Sequence, residues 1–184
     1  MAWDAKRFEE LYRHYVYEAL TELVQGELDN ACAWNKGDIW RYVSNLIVQG
    51  AHQYVYGVYS PKVYQRRAAN HGLADPRNVI IDAGKVQFDE NSGAGTAPVH
   101  IYNITVTGLP NDTGEFIADD IIAGTNYRFD YLDYHKKFSR PRNFMATYEA
   151  EYDPVEAGDF VYQKIAGKLQ GLVDDAYAKA LKNM

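Results

Sequence analysis

Apolar residues recur at three- and four-residue steps near the start of the chain: Phe8, Leu11, Tyr12, Tyr15, Val16, Ala19, Leu20, Leu23 and Val24. That spacing gathers them on one broad stripe of a helix from Asp4 to about Val24. Lys6, Arg7, Glu10, Arg13 and Glu22 fall on the opposite side. Asp4 stands where a cap belongs, and Gly26 where the helix should end. Leu28 to Trp34 keeps no clear period. Asn35-Lys36-Gly37 reads as a turn, with Asp38 as the cap of a second helix. Ile39, Val43, Leu46, Ile47, Ala51, Tyr54 and Val55 form its apolar face, and Gly57 and Pro61 bracket its end.

Residues 59–78 lose the helical period, and Pro61, Gly72 and Pro76 punctuate them. Val79-Ile80-Ile81 then begins a strand that leads through Gly84 to Val86 and Phe88. Beyond a loop at 90–98, His100 to Thr107 alternates: Ile101, Asn103, Thr105 and Thr107 face one way, His100, Tyr102, Ile104 and Val106 the other. Phe116 to Ile122 fits a short helix closed by Gly124, and Asn143 to Tyr152 fits another. Asp153-Pro154-Val155-Glu156 has the cap, proline and acid of a helix start. The final helix runs to about Lys182, with Gly158, Gly167 and Gly171 marking close packing or a break. Helices, then strands, then helices predict a single α+β domain over 1–184. Its parts are a helical N-terminal region (1–57), a sheet-containing core with long loops (58–152) and a C-terminal helix (153–184). The sheet is small and mainly antiparallel.

Composition narrows the function. The chain has 184 residues, 47% of them hydrophobic and 24% charged, enough to bury a core and unlike a disordered chain. A net charge of −6 disfavours general nucleic-acid binding, which relies on Lys and Arg at phosphates. The single cysteine, Cys32, excludes an intrachain disulfide framework and a Cys-rich zinc site. No run approaches the roughly 20 apolar residues of a membrane span. Asp4, Glu9 and Glu10 interrupt any signal-peptide core, which predicts a soluble chain made in the cytoplasm. The excess lies in 16 tyrosines, a residue type used heavily at interfaces.

Signs of chemistry are sparse. His14, His52, His71, His100 and His135 show no metal-ligand spacing, and no nucleophile elbow or phosphate loop is present. Gly93-Ala94-Gly95 lacks a nucleotide loop's lysine and reads as a hairpin tip. Asp119-Asp120 and Asp174-Asp175 are neighbours about 100° apart on a helix, which suits solvated faces. The expectation is no catalytic residue, no metal and no cofactor. The rival is a small enzyme assembled from distant groups such as Cys32, His52 and His100. The charge layout says more. Residues 59–88 and 128–142 each carry a net +3, while 108–127 carry −4 and 149–159 carry −5. Such alternation serves either salt bridges within the chain or complementary patches between copies of it. The basic segments are also rich in Tyr, Phe and Arg, the types enriched in interface cores. They nominate Tyr59, Pro61, Tyr64, Arg66, Arg67, Tyr127, Tyr131, Tyr134, Arg140, Arg142 and Phe144 as protein-interface residues. In the competing reading, Arg66 and Arg67 bond their own chain's carbonyls.

One run is more specific: Tyr59-Ser60-Pro61-Lys62-Val63-Tyr64-Gln65-Arg66-Arg67, then Asn70, Gly72-Leu73, Asp75 and Asn78-Val79. It resembles a segment of minor virion structural proteins of tailed bacteriophages. Ile117 to Thr125 followed by Tyr127, and Arg140-Pro141-Arg142 with Phe144, are similar to motifs of the tail-completion, or head–tail joining (neck), family. The resemblance covers roughly residues 40–172. The loop at 90–98 and the segment 128–139 are longer than a minimal member needs. The resemblance implies a non-enzymatic virion protein, assembled in the host cytoplasm, that forms a homo-oligomeric ring at the phage neck or tail end. Its partners would be itself and other virion proteins, connector, adaptor or tail components, with no membrane and no sequence-specific nucleic acid. A ring that surrounds the DNA channel should have an acidic or neutral lumen. The alternative is a minor capsid or decoration protein of the head.

Overall fold

The first helix, α1, runs from Ala5 to Cys32, eight residues beyond the end that its apolar stripe predicts. The structure, a computed structural model, describes residues 4–58, 72–89, 92, 94–105, 118–123 and 143–184. Asp4 caps α1 as expected, its Oδ1 accepting from the Arg7 amide at 3.1 Å. Gly26 does not end the helix. It lies within it, with open space where a Cβ would stand. The turn that does end it is tighter: the Gly37 amide donates to the Ala33 carbonyl at 2.8 Å, and Asn35 takes a φ of 62°. Asn is among the few residues other than glycine that enter this left-handed region readily.

The remaining elements are α2 (Asp38–Gly50), a π-helical turn (Ala51–Tyr56) and a 3-10 turn (Pro76–Asn78). Strands β1 (Val79–Ala83), β2 (Gln87–Phe88), β3 (Gly95–Thr96) and β4 (Val99–Asn103) follow. Helices α3 (Ala118–Ala123), α4 (Ala146–Glu151) and α5 (Pro154–Ile165) lead through a 3-10 turn (Ala166–Lys168) to α6 (Leu169–Lys182). This is the expected α+β class, with a small antiparallel sheet and a long C-terminal helix. β2 and β3 pair antiparallel, Gln87 opposite Thr96 and Phe88 opposite Gly95, and β1 pairs with β4. The C-terminal helix breaks at Ala166–Lys168, beside Gly167. Among the described residues nothing lies within 4 Å of a Cβ placed at Gly158, Gly167 or Gly171, so close packing within the chain does not account for these glycines, and only Gly167 lies in the break.

The described chain falls into two compact units: residues 1–32, 82–100 and 154–184 form one, and residues 33–81 and 101–153 the other. In the second unit α2 supplies the core. Ile39, Trp40, Val43, Leu46 and Ile47 are buried along one face, continued by Ala51 and Val55. Asp38 does not cap α2. It sits in the first turn and pairs with Arg41 at 3.4 Å, leaving Gly37 at the cap position. Trp40 Nε1 donates to the Val79 carbonyl at 2.7 Å, tying α2 to β1. Gly50 meets the segment before α4 so closely that any Cβ would overlap the Phe144 carbonyl oxygen. Tyr42 Oη donates to the Glu151 carbonyl and accepts from the Asp153 amide, closing the end of α4.

The first unit is built on helix pairing. α1 packs along α6 and α5, which contribute Ala157, Val161, Ile165, Ala176 and Ala180 as buried residues. Gln25 joins the β2–β3 hairpin to α1: its Oε1 accepts from the Val86 amide at 2.7 Å and its Nε2 donates to the Gly84 carbonyl at 3.3 Å. Tyr17 leans on Phe88, their ring centroids 6.2 Å apart. Lys168 Nζ meets Glu27 Oε1 at 2.6 Å, and this bond holds the Glu27 carboxyl below the usual carboxylate range.

Candidate interaction surface

Of the residues nominated at the sequence level, Tyr59, Pro61, Tyr64, Arg66, Arg67, Tyr127, Tyr131, Tyr134, Arg140 and Arg142 lie outside the described residues. So do most of the alternating charge segments. Phe144 is described, and it has no exposed surface. Its ring fills the core of the second unit while its carbonyl abuts Gly50, so it presents nothing to a second chain.

The described end of the specific motif, Gly72 to Val79, is a folding device. The Asp75 carboxylate accepts from the Arg77 amide at 3.0 Å and grips the Arg77 guanidinium through Nε and Nη2. It thereby caps the 3-10 turn and holds the Arg77 proton more firmly than usual. Asn78 Nδ2 donates both to the Gly72 carbonyl and to Thr105 Oγ1, each at 3.0 Å. Thr105 Oγ1 donates onward to Asn103 Oδ1 at 2.6 Å, and Asn103 Nδ2 reaches the Leu73 carbonyl at 3.4 Å. The alternation read over His100 to Thr107 holds as far as Thr105, with Asn103 and Thr105 buried and His100 and Tyr102 exposed; the strand itself ends at Asn103, and Val106 and Thr107 lie outside the described residues. The buried face is polar because every member finds a partner, which removes the desolvation cost.

Cys32 is buried, and burial pushes its thiol up to about 11, with Asp29 adding to the rise. His52 and His100 are exposed. Among the described residues, no three His, Cys, Asp or Glu could hold a metal ion, and no helix is long and apolar enough to cross a membrane.

What the structure brings together, and the sequence did not single out, is a groove in the first unit. It lies between α1 and α6 and encloses about 660 Å³. Tyr15, Ala19 and Leu23 form one wall and Leu172 and Ala176 the other. Lys168, Lys179 and Lys182 stand on its rim with Asp175. The Lys179 ammonium lies 5.8 Å from the Tyr15 ring centroid, within cation–π range. At the far end Phe8, Tyr12 and Tyr177 cluster, with centroid separations of 5.3–6.1 Å, and Tyr177 remains 49% exposed. The whole stripe from Phe8 to Val24 is only half-buried. Among the described residues, every large side chain that is fully buried belongs to the second unit. The signal for the groove was present in the sequence: the stripe is too wide for one partner helix to cover.

These two units, one locked by buried polar bonds and one open along a helix pair, make an α+β protein, and the family whose model matches it carries a phage-derived name. The model of the family described as YomN matches residues 20–154, well over half of the chain, and the chain belongs to that family. No curated protein and no solved structure matches it.

Proposed function

We propose that the chain is a non-enzymatic structural protein of a phage virion, one that assembles with copies of itself into a ring at the neck or tail end. The observation that carries this reading is α1. Twenty-eight residues long, it leaves its apolar stripe only part-buried, and Tyr15, Ala19 and Leu23 of that stripe line an open groove. Apolar surface of that extent is what a further protein layer covers. The phage-derived name of the family supports the setting, and the excess of tyrosine supports the role. The ring would join connector, adaptor or tail proteins, act without a cofactor, and reside in the virion after assembly in the host cytoplasm. If it surrounds DNA, its lumen is acidic or neutral, since basic walls would hold the passing duplex.

Native mass spectrometry of concentrated protein, with negative-stain imaging after mixing with purified phage heads and tails, tests the proposal. The expected result is a closed oligomer that decorates one vertex of the head or the end of the tail. A strict monomer that binds neither particle sinks it. Antibody label spread over the shell would move the protein to the capsid or decoration class.

A further inference from the structure

The groove has a matching ridge on the same unit. α5 turns Ala157, Val161 and Ile165 toward α1, one residue per turn on a single face. Val155, Asp159 and Tyr162 share the opposite face. Val155 is 70% and Tyr162 58% exposed, an unusual pair of apolar projections for a solvent face. Glu156 and Asp159 flank them, both exposed. Gly158, with nothing within 4 Å of its missing side chain, leaves the ridge low enough for close approach.

Ridge and groove agree in charge, shape and length. The ridge is apolar with two carboxylates. The groove is apolar with a rim of lysines that outnumber Asp175. Lys168 is engaged by Glu27, whereas among the described residues no ion pair engages Lys179, Lys182, Glu156 or Asp159. Twelve residues of α5 extend about 18 Å, and the α6 side of the groove, from Lys168 to Lys182, about 21 Å. The ridge cannot enter the groove of its own chain. Its opposite face is committed to α1, and a three-residue turn joins α5 directly to α6.

We infer that the α5 ridge of one copy docks in the α1–α6 groove of the next, Val155 and Tyr162 on its apolar floor, Glu156 and Asp159 against Lys179 and Lys182. The two surfaces differ, so the contact is head-to-tail, and the series closes into a ring where the rotation per step allows. This inference rests on the ring proposal and specifies its interface.

Charge reversal tests it. Lys179→Glu with Lys182→Glu, and separately Glu156→Lys with Asp159→Lys, are made in the full chain and followed by sedimentation velocity. All four side chains are exposed, so melting by circular dichroism should stay at the wild-type temperature. Each double variant should associate at least about tenfold more weakly than wild type, since like charges then face each other. An equimolar mixture of the two should recover assembly, because both mixed contacts restore opposite signs. The quadruple variant should assemble alone. Wild type that assembles while both reversals assemble equally well overturns the inference and leaves the ring intact. Wild type that stays monomeric at every concentration overturns the ring itself. Loss of assembly in both variants without recovery on mixing also overturns the pairing.

Discussion

At Gly50 a single hydrogen atom decides whether two helices meet. A side chain there would collide with the Phe144 carbonyl oxygen, a backbone atom that has no rotamer to yield. Gly50→Ala should therefore cost about 1–3 kcal/mol or more by urea denaturation, against the small gain expected of alanine in a helix. Gly26→Ala is the opposite case. Its Cβ would meet open space in the middle of α1, and the change should raise stability by about 0.5–1 kcal/mol. Thr147 offers a third contrast, because its buried hydroxyl has no hydrogen-bond partner among the described residues. Thr147→Val should be neutral or stabilising in the same assay. Cys32 gives the chain a pH dependence. Its folded pKa is raised from 9.0 to about 11, so folding favours the thiol over the thiolate. The stability this contributes is complete below pH 9 and is lost as the pH climbs from there to about 11, measurable as a falling urea midpoint that Cys32→Ser lacks.

Among the elements, α1 and α2 read alike in the sequence and differ in the fold. Both show apolar steps of three and four, but periodicity reports which residues share a face, not how much protein covers it. Ile47 has no exposed surface, whereas Leu23 lines an open groove. Ile47→Ala should cost about 2–5 kcal/mol, and Leu23→Ala clearly less in the isolated chain. The helix starts at Asp4 and Pro154 were legible because caps and prolines act locally. The end of α1 was not. Gly26 only weakens a helix, and tertiary contacts from Gln25 and Glu27 carry it onward. The strand alternation at 99–105 was legible too. That its buried face would hold Asn103 and Thr105 was not, since their partners Leu73 and Asn78 lie about 30 residues away along the chain. The width of the α1 stripe called for more than one partner but did not say which, because the walls of the groove come from opposite ends of the sequence.

For the whole molecule, the two units differ in how they exclude water. The second unit holds the fully buried large side chains and a closed hydrogen-bond network. The first buries Ala157, Val161, Ile165, Ala176 and Ala180 between its helices, and among the described residues none of its large side chains is fully buried. Hydrogen exchange should accordingly show the slowest amides in α2 and β1 and faster exchange over the N-terminal half of α1 in dilute protein. Concentrations that drive assembly should slow exchange in α1 and α5 and leave α2 unchanged.

The bond between Lys168 and Glu27 joins residues 141 positions apart, and the face of α1 that meets α5 and α6 waits on partners from the other end of the sequence. On the ribosome, where roughly 5–20 residues are added each second, the apolar stripe of α1 emerges many seconds before α5 and α6 exist to cover it. The second unit lacks this delay in its closest pairings, since Trp40 needs only Val79. The nascent chain thus carries a bare, tyrosine-rich helix through most of its synthesis. Chains cut short before α5 should be captured by chaperones or precipitate, while those released complete should not. The proposed groove is likewise finished only when α6 is, since α6 forms one of its walls.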